Sequence, residues 1–304
     1  MEANYCPLPG RGVLRLSGGD VRTFLQALVT RDLDDLSPDR AVYGALLTPQ
    51  GKYLFDFFLA QQGDDLLLDG EAGRLDDLAK RLKMYKLRAD VTIQTADGWQ
   101  VYGVFGGVLD GNLGLGAGPG AARPFSDGVA YMDPRLPEAG ARIMAPAGQA
   151  EEILTASGFM ARDPTDYNYI RLGLALPDSG SDLVVDKSLM LESNLDALHG
   201  VDFGKGCFVG QEITARTKYR ALVRKRLLPV RIEGPVPEPN TPLMAGAREV
   251  ASMRSGQGDR GLALVRLDRL AEAGGLGLGL DANGTTVTPA LPSWAEFDLR
   301  ESET

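Results

Sequence analysis

From Leu222 onward the chain breaks into short apolar runs, RLLPVRI, TPLMAG, REVASMR, RGLALVRL and TTVTPAL, divided by Gly and Pro. That spacing predicts a small β-barrel, because closure removes the edges that short strands would otherwise expose. No dense set of reactive groups occurs in these runs. The barrel is expected to cover or brace the rest, and the chemistry to lie before Leu222.

Upstream, the periodicity switches between helix and strand. Ser17-Gly-Gly-Asp20 precedes Val21, Phe24, Leu25, Leu28 and Val29, an amphipathic stripe behind capping residues. AVYGALLT, the turn Pro49-Gln-Gly-Lys52 and YLFDFFLA read as a hairpin whose second strand is interrupted by Asp56. LLLDG reads as a further strand, and Leu75, Leu78, Leu82 and Tyr85 share one face of a helix between Glu71 and Lys86. DVTIQT and WQVYGVFG return to strand character. Strands near Val129–Met132 and Ala141–Ala145, with helices over Gly148–Ser157 and from Asp163-Pro164 to Leu176, loosely echo the first half. At 304 residues the chain is long enough for more than one core. The expected division is an α+β half over 1–97, a second over 98–221, and the barrel over 222–304.

A net charge of −9 argues against a general nucleic-acid binder, which needs a basic face to release counterions. No run approaches the roughly 20 apolar residues that span a bilayer, and MEANYCPLPGRG is no targeting segment, so no membrane partner and a cytoplasmic location are expected. Cys6 and Cys207 are the only cysteines, which excludes a disulfide framework and an all-protein metal cage; no metal is assigned. The single histidine, His199, reads as a turn residue beside Gly200, and Cys6 as incidental. The glycine-rich stretch Asp110–Gly120 lacks the pattern of a phosphate loop and reads as a surface loop.

VDFGKGCFVGQEITAR sets Cys207 between Gly206 and Gly210, ahead of a helix beginning near Gly210. The positive end of that helix and Lys205, two residues away, would favour a thiolate. The bland alternative is a small buried residue in a tight turn. Gln211 and Glu212 fall in the first helical turn, either as a capping pair or as acceptors for the amide-like edge of a ligand. Arg216, Lys218, Arg220, Arg224, Lys225 and Arg226 follow as a basic run, a solvated linker or an anion-receiving rim.

Over Leu191–Leu227 the sequence LESNLDALHGVDFGKGCFVGQEITARTKYRALVRKRL resembles the signature of the YgfZ family, including its mitochondrial iron-sulfur assembly branch. GVLRLSGGDVRTFLQALVTRDL is similar to the opening of that family and of its relative, the aminomethyltransferase of the glycine cleavage system. The resemblance implies an α+β, aminomethyltransferase-like folate-binding fold of interleaved halves around a central hole, with a C-terminal β-barrel. It also implies tetrahydrofolate as ligand and a role with iron-sulfur client or assembly proteins. By position it assigns Cys207 as the functionally central thiol, with Lys205 beside it. Asn194, Gly206, Gly210, Gln211, Glu212 and Arg216 fall on the ligand side. Lys83, Tyr85 and Arg88 match the family's L-K-x-Y segment.

Two departures weigh on the folate side. In the aminomethyltransferases an acidic pair follows the G-K turn, whereas GKYLFDFF keeps only Asp56, with Phe55 in place of its neighbour. The pterin-facing acid of an E-A-G stretch is replaced by Gly173 in RLGLALP. The expected function is a folate-binding accessory factor of iron-sulfur assembly or repair acting through Cys207. The alternatives are a folate-dependent aminomethyl or methyl transferase using Asp56, and a non-catalytic scaffold.

Overall fold

In the computed structural model, which describes residues 3–107, 109, 113–219 and 223–295, the strands up to Ala161 alternate in side-chain direction, and that alternation builds the first part of the molecule. They are β1 (Asn4–Pro7), β2 (Arg11–Ser17), β3 (Val42–Leu47), β4 (Tyr53–Gln62), β5 (Asp65–Glu71), β6 (Thr92–Thr95), β7 (Trp99–Phe105), β8 (Ala122–Phe125), β9 (Gly128–Met132), β10 (Ala141–Pro146) and β11 (Met160–Ala161). Asp110, Arg220 and Leu222, which the sequence reading used, lie outside the described residues.

These strands form a five-stranded sheet of order β3-β4-β5-β2-β6 and a six-stranded sheet of order β11-β1-β7-β10-β9-β8. The halves are interleaved, because the N-terminal strand β1 pairs with β7 and β11 of the later sheet. One face of the five-stranded sheet sends Leu14, Leu16, Phe55, Phe57, Leu59, Leu66 and Leu68 into a core with Leu25 and Val29 and with Leu75, Leu78 and Leu82 of the helix Leu75–Lys86. The six-stranded sheet buries Tyr102, Val104, Ala130, Ile143 and Ala145 against Leu154 of the helix Gln149–Ala156. Each fully buried leucine contributes about 1.5–3 kcal/mol relative to exposure. Gly103 on β7 is required by close approach: a Cβ there would stand 3.0 Å from the Tyr167 ring.

The chain divides into two compact units, the first over Met1–Thr48, Leu54–Tyr167 and Leu198–Val209, the second over Pro49–Tyr53, Asn168–Ala197 and Gly210–Thr304. The second holds the expected barrel, closed in the order β12 (Lys225–Glu233), β15 (Arg260–Arg266), β14 (Arg248–Gln257), β13 (Pro242–Ala245), β16 (Leu280–Ala282), β17 (Thr285–Pro289). Leu228, Val230, Leu243, Met253, Val265 and Leu280 fill it. The remainder of this unit is tied to the barrel through side chains. Arg171 pairs with Asp182 at 2.7 Å, Ser255 of β14 donates to Asp182 at 2.6 Å, and the Trp294 indole donates to the Leu174 carbonyl at 2.7 Å.

Candidate functional site

The KGCFVGQE segment is anchored on both sides of its cysteine. The Asp202 carboxylate accepts from the backbone N–H of Gly204 at 2.7 Å and of Lys205 at 3.3 Å, closing a turn that aims the Lys205 side chain inward. Lys205 is buried, and its ammonium donates to the carbonyls of Gln26, Val29 and Arg31 at 2.8, 2.7 and 2.9 Å, which takes all three of its N–H donors. Burial pushes this ammonium down to about 8, against the carboxylates of Asp32, Asp202 and Asp34, which hold it up. Phe208 is buried with its ring 5.6 Å from the Lys205 ammonium, and Val209 packs on the core of the five-stranded sheet.

Between these two anchors Gly206 and Cys207 face outward, and Cys207 is a free, exposed thiol. A Cβ built at Gly206 would meet nothing within 4 Å, so the approach to the thiol is open on that side. Cys6 differs in every respect: it is buried, and burial pushes its thiol up to about 12. A thiol reagent at mild alkaline pH is therefore expected to titrate one cysteine per native chain and two after unfolding. Two in the native protein would contradict the burial of Cys6.

The chain passes from the first unit to the second between Val209 and Gly210. In the second unit Gly210, at φ +84°, leads into the helix Gln211–Tyr219, and the Thr214 hydroxyl donates to the Gly210 carbonyl at 3.0 Å. A Cβ on Gly51, at φ +72°, would stand 3.2 Å from that same carbonyl, so the G-K turn packs on the start of the helix. Gln211 is half-buried, while Glu212 and Arg216 are exposed and have no hydrogen-bond or ion-pair partner among the described residues. Asn194 is fully buried at φ +63°, and its amide donates to the Leu227 carbonyl at 2.6 Å. Arg226 turns away from the basic run into the protein, pairing with Asp196 at 2.7 Å and donating to the Leu191 carbonyl at 2.6 Å.

Asp56 is buried on β4 and accepts from the Tyr43 hydroxyl at 2.9 Å. Phe55, one residue back, points to the other face, under the Arg74 guanidinium at 4.3 Å. On the Asp56 face lies a buried charged network that sequence reasoning missed. Asp69 of β5 accepts from Arg11 at 2.7 Å and from Arg142 of β10 at 2.6 Å, with the Tyr131 hydroxyl at 3.2 Å. Burial works to raise the Asp69 carboxyl, and the guanidiniums of Arg11 and Arg142 outweigh it, holding it below the usual carboxylate range. Arg135 pairs with Asp133 at 2.8 Å, and Arg142, Arg135 and Arg11 stand 4.3, 4.8 and 5.6 Å from the Phe58 ring. The sequence signal was the one that flagged Asp56: a charge inside an apolar strand, repeated at Asp69 in LLLDG and Arg142 in ARIMAP.

Among the described residues no group of three His, Cys, Asp or Glu side chains is arranged to hold a metal ion, and no helix is long and apolar enough to cross a membrane. His199, at φ +58°, sits in the turn before Gly200.

Comparison with known proteins supplies the context. Residues 224–297 match the family model for the CAF17 C-terminal β-barrel domain. The mitochondrial iron-sulfur cluster assembly factor IBA57 of Mus musculus is 32% identical over 94% of this chain and 84% of its own length. The Homo sapiens factor of the same name is 33% identical over 86% of this chain and 77% of its own length. The crystal structure of the glycine cleavage system aminomethyltransferase T from Bartonella henselae superposes with a TM-score of 0.76 at 14% identity, covering 97% of this chain and 87% of that one. The aminomethyltransferase-like α+β fold with its C-terminal barrel is thereby shown. The resemblance to the YgfZ family narrows to its IBA57 relatives. The cytoplasmic expectation is corrected, because these relatives are mitochondrial proteins.

Proposed function

Because the chain belongs to the IBA57 family of iron-sulfur cluster assembly factors, and so has a role in iron-sulfur cluster assembly, we propose that it performs this work through the thiol of Cys207, with tetrahydrofolate as an accessory ligand. The observation that carries the reading is the local geometry of Cys207, an exposed thiol between the buried anchors Lys205 and Phe208 with open space over Gly206. A thiolate is both the nucleophilic and the metal-binding form of cysteine, so a sulfur presented in this way can donate its lone pair to iron of a cluster in passage or to a partner. The cluster is cargo here. The partners that this role requires are iron-sulfur client and assembly proteins.

For folate, the residues fit in part. Asn194 and Asp56 already spend polar atoms inside the protein, on Leu227 and Tyr43, whereas Glu212 and Arg216 carry no hydrogen-bond or ion-pair partner among the described residues. Glu212 would accept from the N–H edge of the pterin and Arg216 would face the carboxylates of the glutamate tail. When bound, the folate would supply a one-carbon carrier. No transfer step is assigned to it, because the transferase alternative requires Asp56 at a substrate and Asp56 is buried against Tyr43.

Two measurements test the parts separately. In cells depleted of their own factor of this family, expression of the chain is expected to restore the activity of four-iron enzymes, and failure at normal expression would remove the functional assignment. Tetrahydrofolate is expected to raise the melting temperature of the purified protein, since a ligand bound only by the native state stabilises it. Glu212→Ala and Arg216→Ala should each diminish that rise. A wild-type melting curve indifferent to saturating tetrahydrofolate would remove the folate from the account.

A further inference from the structure

After the helix Leu75–Lys86 the chain reverses through Lys86-Leu87-Arg88-Ala89, a turn closed by the Ala89 N–H donating to the Lys86 carbonyl at 2.8 Å. Leu87 occupies the second position of this turn at φ 46°, ψ −107°. That is the backbone of a type II′ turn, a place glycine fills without strain and a branched side chain does not. The Leu87 side chain is 90% exposed, and Met84, three residues earlier on the helix, is 69% exposed. Burial within the chain therefore does not offset the strain at Leu87. A strained backbone that holds an apolar side chain out in water is the kind of outlier from which function is inferred.

Lys80, Lys83 and Arg88 are exposed around this pair and Lys86 is half-buried beside it, and no acidic residue occurs between Asp77 and Asp90. Lys83, Lys86 and Arg88 have no ion-pair partner among the described residues. In a chain of net charge −9 this is a local basic collar around an apolar tip. Tyr85, between the two exposed residues, packs on the core of the five-stranded sheet and gives the tip a fixed base.

We propose that the turn at Leu87 is a docking knob for an acidic segment of a partner protein, one that places an apolar pocket or side chain over Leu87 and Met84 and carboxylates over Lys83, Lys86 and Arg88. The partner chemistry rests on the assembly role proposed above, which requires protein partners. Charge favours a protein segment over an anionic bilayer: a short acidic segment meets only the collar, whereas a charged surface also faces the acidic remainder of the chain.

The test uses purified full-length protein and a short fluorescent peptide carrying glutamates around a central Leu-Phe pair. Wild type is expected to bind it with an affinity that falls as salt rises. Leu87→Gly is expected to keep or raise the melting temperature, because the backbone strain is relieved, and yet to weaken binding by about tenfold through loss of the apolar contact. The double variant Lys83→Glu/Lys86→Glu should abolish binding. Cys207→Ala should bind as wild type does, which separates this inference from the thiol reading. The proposal is overturned if wild type ignores the peptide, if Leu87→Gly binds it equally well, or if the protein instead sediments with phosphatidylcholine vesicles containing phosphatidylserine in a Leu87-dependent way.

Discussion

Asp69→Ala is expected to cost about 3–5 kcal/mol of stability, because it strands two guanidiniums inside the protein without their counter-charge. Arg11 and Arg142 both direct nitrogen donors at this one carboxylate, at 2.7 and 2.6 Å, and all three side chains are shielded from water. Little solvent reaches them to screen the charge, and neither arginine can lose its proton at accessible pH. The loss should appear as a large drop in the urea midpoint. Asp69→Ala combined with Arg11→Met should recover part of it, since one of the stranded charges is then gone. A single variant as stable as wild type would contradict the description of this network as a satisfied, structural core. Acid should act on the same group. Its folded-state pKa lies below the ordinary value of 3.8, so its contribution is complete above that value and is lost as pH falls through the folded pKa.

Lys205→Met should cost about 3 kcal/mol, because a buried carbonyl left without a donor costs about 1–3 kcal/mol and three carbonyls share this ammonium. The methionine keeps most of the apolar stem of lysine, so the loss reports chiefly the ammonium and its hydrogen bonds. The turn between Asp202 and Cys207 would keep its Asp202 hydrogen bonds and the Phe208 anchor but lose its attachment to the carbonyls of Gln26, Val29 and Arg31, and limited proteolysis should open there before the sheets unfold. A different result would follow if Lys205 served chiefly as a charge beside the thiol: stability would hold and only the reaction rate of Cys207 with a thiol reagent would fall. The three carbonyl bonds argue for the first outcome.

Local pattern told most about the elements and least about what crosses between them. The barrel, the hairpin strands and the helix after Gly210 were legible because period and turn chemistry are local properties of the chain. The stripe Val21 to Val29 predicted a longer helix than the observed Val21–Gln26. The helix stops early because the carbonyls of Gln26, Val29 and Arg31 turn to a lysine more than 170 residues away, which no periodicity announces. The Asp69 network was hidden for the same reason: its arginines arrive from Arg11 and Arg142, on strands remote in sequence. Asp56 was flagged as a charge in an apolar strand and considered for substrate chemistry, yet the same pattern at Asp69 marks a buried ion pair. Such an interruption identifies an inward-facing polar site without saying whether a ligand or the protein itself satisfies it. Leu87 is the opposite case. Nothing in LKMYKLR says that the leucine stands in water on a glycine-like backbone.

Presentation of one thiol by a segment pinned on both sides is the centre of the account, and rescue of depleted cells by Cys207→Ala tests it most directly. The variant removes an exposed sulfur and should leave the melting temperature close to that of wild type. At equal protein level it is expected to leave four-iron enzymes as inactive as no rescue at all, while wild type restores them. Full enzyme activity with Cys207→Ala would contradict the role assigned to the thiol.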